Sequence, residues 1–291
     1  MRDRVVVIDY DAGNLRSVAR ALDFVGASPL VSAEPADIAA AGALVLPGVG
    51  AAADTMRNLR ERGLIEPIRE YIAADRPFLG VCMGLQALLE RSEEGDQECL
   101  GILPGVVRRF PARPGLKVPH MGWNTIEWRY PHPVTEGIPS GSYFYFVHSY
   151  HPTTPDAALV LGETDYGLRF PSVLARGYLV ATQCHPEKSG RDGLRFYANF
   201  VRWARDGTPA PAAAAEVDGR NDFETHGAAA AAASASARAI TAAKPPTAMT
   251  PSPSPASGRP KAPPASTSST STAPAKAVRS IPPWSKPSAA R

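Results

Sequence analysis

Apolar runs along the first half of the chain alternate with segments in which apolar residues recur every three or four positions. The continuous runs are typical of strands buried on both faces of a sheet and lie at 4–8, 43–46 and 77–81. Helical spacing occurs at 14–26, 64–74 and 83–91. Because strands and helices alternate, the pattern predicts an α/β fold with a doubly wound, mainly parallel sheet flanked by helices.

Short strands separated by turn residues dominate the next part of the chain. They are predicted at 106–110, 143–148, 158–162, 172–176 and 178–184. A final amphipathic helix is predicted at 191–204. We therefore expect one α/β domain over residues 1–206.

Composition changes after Asp206. Residues 207–291 hold 14 of the 30 prolines and 25 alanines, but only seven residues of the types Val, Ile, Leu, Met, Phe, Trp, Tyr and Cys. Such a segment cannot bury enough apolar surface to offset its loss of entropy on folding, so we predict a disordered tail. We expect it to be a solvated extension without a specific ligand, and the alternative is a basic tether for an acidic partner. Residues 1–206 carry 22 basic and 24 acidic residues, which predicts no nucleic-acid surface.

No apolar run approaches the roughly 18 residues that a membrane span needs, and the N-terminus lacks the cleavage site of a signal peptide. The three cysteines are an odd number without a C-x-x-C pair, which disfavours a disulfide framework or a zinc site. We expect a cytoplasmic protein that binds no membrane, no metal and no cofactor. One of the cysteines could instead be a nucleophile.

Cys82 lies in the sequence Gly80-Val81-Cys82-Met83-Gly84, between a predicted strand and a predicted helix. A G-x-nucleophile-x-G pattern in this context indicates a tight turn from strand to helix. The glycines on either side allow the backbone to pack closely there, and the central side chain projects outward from the tip of the turn. The start of a helix also favours a thiolate. Taken alone, the pattern is equally compatible with a buried structural cysteine.

A base for Cys82 is offered by His185, which follows the predicted strand 178–184 at the edge where parallel sheets gather active-site residues. Glu187 is two residues further on, so both side chains project to the same side and the carboxylate can orient the imidazole. Cys184 then points the other way, into the sheet, which disfavours a metal pair with His185. Without Cys82, this His-Pro-Glu sequence would indicate only a surface turn.

Acyl transfer by a cysteine also needs hydrogen-bond donors for an oxyanion. The N–H of Met83 is one candidate. The loop Pro47-Gly48-Val49-Gly50 offers a second through Val49 or Gly50, although alone it is more typical of an ordinary strand-ending turn. His132 and His226 have sequence surroundings typical of solvated loops.

Longer segments resemble the class I glutamine amidotransferases and, among them, the HisH-type glutaminase subunits of imidazole glycerol phosphate synthase. GVCMGLQ at 80–86 and HPE at 185–187 are similar to the Cys-His-Glu triad of the superfamily. The subunit type is indicated by DYDAGNLRSV at 9–18, LPGVGA at 46–51, KVPHMGWN at 117–124, YFYFVHSY at 143–150, TDYG at 164–167 and HPEKSG at 185–190. The resemblance spans nearly all of 1–206 and none of the tail.

This resemblance implies an enzyme that hydrolyses glutamine to glutamate and ammonia. In that reaction Cys82 attacks the amide carbon, His185 transfers protons and Glu187 orients His185. The positions that match the glutamine-binding residues of the family are Gln86, Glu94, His148, Ser149 and Tyr150.

The resemblance also implies a heterodimer with a cyclase subunit built as a (β/α)₈ barrel. That subunit takes up the ammonia and makes imidazole glycerol phosphate and an aminoimidazole carboxamide ribonucleotide in histidine biosynthesis. The positions that match the interface are Asn14, Trp123, Tyr145 and Lys188. On sequence alone the two aromatic residues are nearly as typical of an ordinary core. Glutaminase activity is expected to be weak until the partner and its ligand are bound.

Three residues depart from the family pattern. Asp11 replaces a usual glycine, Ala52 a usual aromatic residue and Cys184 a usual phenylalanine. We expect these changes to affect local packing and stability, not the triad.

Two other functions stay open at this point. One is an independent cysteine hydrolase on the same fold, which would be fully active without a partner. The other is a binding subunit that has lost catalysis. The presence of Cys82, His185 and Glu187 argues against this function, because a non-catalytic subunit does not need them.

Overall fold

A computed structural model describes residues 4–207, so most of the predicted tail (207–291) and His226 lie outside the described residues. Within this range there are thirteen strands: β1 Val5–Ile8, β2 Leu30–Ser32, β3 Ala43–Leu46, β4 Phe78–Val81, β5 Arg91–Ser92, β6 Gln97–Glu98, β7 Val106–Arg109, β8 His120–Trp128, β9 Ser142–His148, β10 Tyr150–Thr153, β11 Val160–Asp165, β12 Arg169–Arg176 and β13 Leu179–Thr182. The six α-helices in the same range are α1 Leu15–Phe24, α2 Pro35–Ala40, α3 Ala52–Glu61, α4 Ile65–Ala73, α5 Met83–Gln86 and α6 Gly190–Asp206.

The main sheet has the strand order β2-β1-β3-β4-β13-β12-β11-β8-β9. The strands from β2 to β13 in this order are parallel, and those from β12 to β9 continue the sheet in antiparallel fashion. A smaller sheet has the order β10-β7-β5-β6. The predicted α/β fold is confirmed, and most of the short strands predicted in the second half form the antiparallel extension.

Alternate residues of β1 face opposite sides of the main sheet. Val5 and Val7 pack in one core with α1 and α6, whereas Val6 and Ile8 pack in another with α2, α3 and α4. Helices on both faces remove both sides of the strand from water, which is why β1 is a continuous apolar run. None of the described helices is long and apolar enough to cross a membrane.

The helix predicted at 83–91 is wrong in length, because α5 ends after four residues. The backbone that follows bonds to other segments. The N–H of Ile102 donates to the carbonyl of Leu88, and the N–H of Glu90 donates to the carbonyl of Gly105. Tertiary hydrogen bonds thus replace helical ones, which apolar spacing alone cannot reveal.

The apolar pattern does not predict α3 or β8. The large apolar residues of α3 are only Met56 and Leu59, both buried. In β8, Met121 and Trp123 are exposed, so the usual alternation of buried apolar and exposed polar residues is lost. The strand is instead defined by its continuous pairing with β9.

His132 is buried and does not lie in the solvated loop predicted for it. Its Nδ1 accepts the N–H of Val134 at 3.2 Å, and its ring packs edge-on against Trp203 with 5.0 Å between ring centroids. Burial lowers the pKa of His132 to about 4. The prediction failed because α6, which is distant in sequence, covers this turn.

Gly84 lies where α5 touches the end of β3. A Cβ on this residue would be 1.9 Å from the carbonyl oxygen of Leu46, a backbone atom that cannot rotate away. We expect Gly84→Ala to lower the free energy of unfolding by about 3 kcal/mol or more, because overpacking forces the backbone to shift. Urea denaturation of the full chain measures the loss.

Gly101→Ala is the matched control. Gly101 has a positive φ of 64°, and an added Cβ would have no atom within 4 Å. Its substitution therefore costs only the strain of the left-handed backbone, about 1 kcal/mol. Equal losses in the two variants would contradict the close approach at Gly84.

Candidate active site

Cys82 lies at the turn between β4 and α5. Its backbone has φ 53° and ψ −104°, a strained conformation for a residue with a side chain. Its N–H donates to the carbonyl of Thr182 at 2.7 Å, which fastens the turn to the end of β13. The structure therefore contains the tight turn that the G-x-C-x-G spacing predicts, with Cys82 buried at its tip.

His185 and Glu187 lie together after β13, on the same side of the chain. The distance from His185 Nδ1 to Glu187 Oε1 is 2.6 Å, and both side chains are fully buried. Asn14 Nδ2 donates to the same oxygen at 2.5 Å, and the hydroxyl of Tyr197 donates to Oε2 at 3.2 Å. Three donors thus fix the orientation of the carboxylate.

The second ring nitrogen of His185, Nε2, has no hydrogen-bond partner among residues 4–207. It is the nitrogen left for Cys82, whose sulfur acts on the imidazole electrostatically. With Nδ1–H donated to Glu187, Nε2 can accept and release a proton. The geometry therefore brings together a thiol, an imidazole and a carboxylate in series.

Burial and charge act in opposite directions on the pKa values of this group. Burial lowers the pKa of His185, but the Cys82 thiolate and then the Glu187 carboxylate outweigh it and raise the pKa to about 9. Burial raises the pKa of Glu187, but the hydrogen bond and charge of His185 outweigh it, so the net shift is downward. Both shifts favour an imidazolium beside an ionised carboxylate at neutral pH.

The predicted oxyanion donors are arranged around the loop between β3 and α3. The N–H of Met83 donates to the carbonyl of Gly48 at 3.4 Å. Val49 is half-buried and Gly50 is exposed. An oxyanion can use the N–H of Met83 only after the Gly48 carbonyl has moved away from it.

Three of the predicted glutamine-pocket residues form a connected group. Gln86 Nε2 donates to the carbonyl of Tyr150 at 3.1 Å, and His148 Nδ1 lies 2.7 Å from the same oxygen. Gln86 Oε1 is buried and has no partner in the described part of the chain, which leaves an acceptor for an N–H of a ligand. Glu94 instead accepts the N–H of Ala52 at the start of α3 at 2.8 Å. Ser149 is half-buried between His148 and Tyr150.

Trp123, Tyr145 and Lys188 form one surface patch, called here the β8–β9 patch. The rings of Trp123 and Tyr145 meet edge to face with 6.2 Å between centroids, and Trp123 is 55% exposed. Lys188 Nζ lies 5.8 Å from the centre of the Tyr145 ring. Asn14 was predicted for the same interface, and its side-chain amide donates a hydrogen bond to Glu187.

The β8–β9 patch is connected to His185 through the backbone. The N–H of His185 donates to the carbonyl of Tyr145 at 2.9 Å, and the N–H of Tyr145 donates to Ser189 Oγ at 3.0 Å. A shift of β9 would therefore move the backbone of His185 and, with it, the imidazole ring.

Two residues of this region were not predicted as site residues. Gln183 Nε2 donates to Cys82 Sγ at 3.6 Å. A signal for Gln183 exists, because strand alternation places it on the same side as His185. Tyr197 lies in the helix predicted at 191–204, and no local pattern indicates that its hydroxyl reaches Glu187.

The three departures from the family pattern have clear places in the fold. Asp11 has a positive φ of 65° and pairs with Arg62 at the surface. Ala52 is buried at the start of α3. Cys184 is buried with its Sγ 2.9 Å from Thr182 Oγ1, as expected for a side chain that points into the sheet. Burial raises the pKa of the Cys184 thiol.

Comparison with known proteins identifies the fold. Residues 6–203 match the family described as Glutamine amidotransferase class-I. A crystal structure of a glutamine amidotransferase is similar with a TM-score of 0.54 and 20% identity, covering 69% of this chain and 98% of that one. The structure of PurLQS from Thermotoga maritima has a TM-score of 0.54 and 16% identity, covering 70% of this chain and 99% of that one.

Two relatives are much more similar in sequence. The imidazole glycerol phosphate synthase subunit HisH of Herpetosiphon aurantiacus is 53% identical over 207 residues, which cover 69% of this chain and 94% of the relative. The HisH subunit of Aromatoleum aromaticum is 54% identical over 209 residues, covering 69% and 98%. The chain therefore belongs to the class I glutamine amidotransferases and, within them, to the HisH subunits of imidazole glycerol phosphate synthase, which are enzymes of histidine biosynthesis.

Proposed function

We propose that the chain hydrolyses glutamine to glutamate and ammonia with Cys82 as nucleophile, His185 as acid and base, and Glu187 as the residue that orients His185. The observation that carries this proposal is the buried 2.6 Å pair of His185 and Glu187 beside a cysteine on a strained turn. A nucleophile, a base and a group that orients the base are the three parts that such a reaction needs, which supports these roles.

The first half of the reaction releases ammonia. The Cys82 thiolate attacks the side-chain carbonyl carbon of glutamine, and the carbonyl oxygen becomes an oxyanion. His185 then donates its Nε2 proton to the departing nitrogen, the C–N bond breaks and ammonia leaves a thioester on Cys82. An imidazolium is the protonation state that this step needs, and the raised pKa of His185 supplies it.

The second half regenerates the enzyme. Neutral His185 takes a proton from water, and the resulting hydroxide attacks the thioester carbon. The C–S bond breaks, glutamate is released and the thiolate is restored beside a protonated imidazole. Glu187 stays ionised throughout, as its lowered pKa supports, and keeps His185 Nδ1 protonated.

The substrate is held next to Cys82 by Gln86, Glu94 and the segment 148–150. Gln86 Oε1 is a buried acceptor without a partner among the described residues, which suits the ammonium group of an amino acid. The Tyr150 carbonyl, which His148 also contacts, fixes the amide of Gln86 from the other side. Glu94 and Ser149 complete the set of substrate contacts in this proposal.

The oxyanion is stabilised by the N–H of Met83 together with an N–H of Val49 or Gly50. Because Met83 donates to the Gly48 carbonyl, we propose that the isolated chain has low activity. Movement of the 47–50 loop, coupled to binding of the partner and its ligand, then frees the donor.

The partner in this proposal is the cyclase subunit, a (β/α)₈ barrel that forms a heterodimer with this chain. It uses the ammonia to make imidazole glycerol phosphate and an aminoimidazole carboxamide ribonucleotide. The β8–β9 patch supports this role, because Trp123 exposes an aromatic surface of the kind that dominates interface energies. Asn14 joins the interface region to Glu187.

The catalytic domain in this proposal is residues 1–206, which end with α6. The tail from 207 onward is not needed for the reaction. The three free cysteines fit a reducing compartment, and we propose the cytoplasm.

Replacing the nucleophile tests the reaction itself. We expect Cys82→Ala to lower glutamine hydrolysis by at least about 10⁴-fold, measured with the full chain and its activated partner, with the thermal melting temperature unchanged. Cys99→Ala is the matched control, since Cys99 is also a buried free cysteine. Full turnover by Cys82→Ala would overturn the assignment.

Glu187→Gln tests the orienting group. We expect kcat to fall by about 10³-fold, because the amide cannot hold the same imidazole state. We also expect a stability loss of about 3 kcal/mol near pH 6, because a buried charged pair is broken. Glu136→Gln, an exposed carboxylate paired with Arg202, serves as the control.

The stability difference between wild type and Glu187→Gln depends on pH in a defined way. The raised pKa of His185 means that its pairing stabilises the fold below about pH 6.5 and is lost as the pH rises through 9. The lowered pKa of Glu187 means that its contribution is lost as the pH falls through its folded value. Urea denaturation at several pH values would contradict the pairing if the difference were constant to pH 10.

Trp123→Ala tests the docking surface. We expect it to raise the Kd for the barrel subunit by about 30-fold, the effect of removing an aromatic hot spot. Isothermal titration calorimetry measures this change. Phe24→Ala removes another exposed aromatic side chain, on α1, and should leave the Kd unchanged. Equal effects of the two substitutions would place the interface elsewhere.

A further inference from the structure

Two buried glutamine side chains connect Cys82 to the backbone of β10. Gln183 is completely buried, and its Nε2 donates to Cys82 Sγ at 3.6 Å. Its Oε1 accepts Gln86 Nε2 at 3.0 Å. Gln86 Nε2 also donates to the Tyr150 carbonyl at 3.1 Å. The sulfur therefore stands at one end of a continuous series of hydrogen bonds.

The orientation of both amides follows from the carbonyl at the other end. A carbonyl oxygen can only accept, so Gln86 must turn its NH₂ group toward Tyr150. The second hydrogen of that nitrogen goes to Gln183 Oε1, which leaves the NH₂ group of Gln183 to face the sulfur. A flipped Gln183 amide would place two donors against each other and an oxygen against the sulfur.

The Tyr150 carbonyl is itself held by two histidines in series. His148 Nδ1 lies 2.7 Å from it, and His148 Nε2 lies 3.0 Å from His120 Nδ1. His120 Nε2 faces the amide of Asn124 at 3.3 Å. Burial is the main cause that lowers the pKa of His148 to about 3 and of His120 to about 4, so both rings are neutral and each has one defined tautomer at pH 7.

We propose that Gln183 is a positioning residue for glutamine hydrolysis: its side-chain N–H holds the sulfur of Cys82 and stabilises the negative charge on it. This inference rests on the nucleophilic role proposed for Cys82. A donor stabilises a thiolate more than a thiol, because the bond to the charged form is stronger. The N–H therefore acts on the reacting state of the residue.

Other titratable groups interact electrostatically with Cys82, and their effects on its thiolate differ from the effect of Gln183. His185 supplies charge and a proton. Burial, together with the charge of Cys82, raises the pKa values of Tyr10 and Cys184, so both stay neutral at pH 7. Gln183 is a hydrogen-bond donor without a titratable group, so its effect on the thiolate does not depend on pH.

The test uses two substitutions of similar size in the full chain, assayed together with its activated partner. Gln183→Glu keeps an oxygen that can accept from Gln86 but replaces the N–H at the sulfur with a second oxygen. We expect its kcat for glutamine hydrolysis to fall at least about tenfold with KM changed less than about threefold. Gln183→Met removes both polar contacts, so kcat should fall and KM should rise, since Gln86 loses an acceptor.

A second readout follows the sulfur directly. Iodoacetamide alkylation of the peptide that contains Cys82 is measured by mass spectrometry as a function of pH. In Gln183→Met, which removes the donor without adding a charge, the midpoint of this dependence should move up by about one pH unit, because the thiolate loses its donor. A purely structural role would change the melting temperature without moving this midpoint.

Gln97→Glu is the matched control, because Gln97 bonds the neighbouring Glu98 carbonyl in β6 and should change neither readout. If wild type with its activated partner neither hydrolyses glutamine nor alkylates at Cys82, the proposed function fails. If wild type does both and Gln183→Met keeps its kcat and its midpoint, the role of Gln183 is wrong. Loss of the fold in both Gln183 variants would also overturn it, since the role would then be structural.

Discussion

The site depends on the parallel pairing of β4 with β13. Val81 pairs with Thr182, and the N–H of the next residue, Cys82, donates to the Thr182 carbonyl. Two strands that are distant in sequence thus end at the same edge of the sheet, where the thiol and His185 leave it together. A slip of one residue in this register would turn His185 and Gln183 to the other face, so the pairing determines which side chains meet.

The strained turn and the buried charges are held by contacts from several elements around them. The positive φ of Cys82 is held by a carbonyl of β13 on one side and by the close contact of Gly84 with β3 on the other. Glu187 is ionised in a buried position because His185, Asn14 and Tyr197 donate to it. Removing any of these donors leaves the charge of Glu187 less well compensated and lowers the free energy of unfolding. Residues proposed for catalysis therefore also stabilise the fold.

The sequence predicted what short-range patterns encode. Continuous apolar runs located β1, β3 and β4. The pairing of His185 with Glu187 was predicted from an extended chain, whereas the two side chains meet across a 3₁₀ turn at Pro186–Lys188. Contacts made by distant helices were not predictable. The burial of His132 under α6, and the reach of Tyr197 and Asn14 to Glu187, depend on tertiary packing that no local period records. The exposed apolar residues of β8 concealed a strand, since they break the alternation of buried apolar and exposed polar residues that marks one.

The central claim is that Cys82 is the nucleophile toward glutamine. The most direct measurement treats the full chain, with its activated partner bound, with a diazoketone analogue of glutamine and maps the adduct by mass spectrometry. This reagent alkylates a nucleophilic cysteine in a glutamine site. We expect modification of Cys82 alone, prevented by excess glutamine, with Cys99 and Cys184 unmodified. An adduct on another residue, or continued glutamine hydrolysis after Cys82 is fully modified, would contradict it.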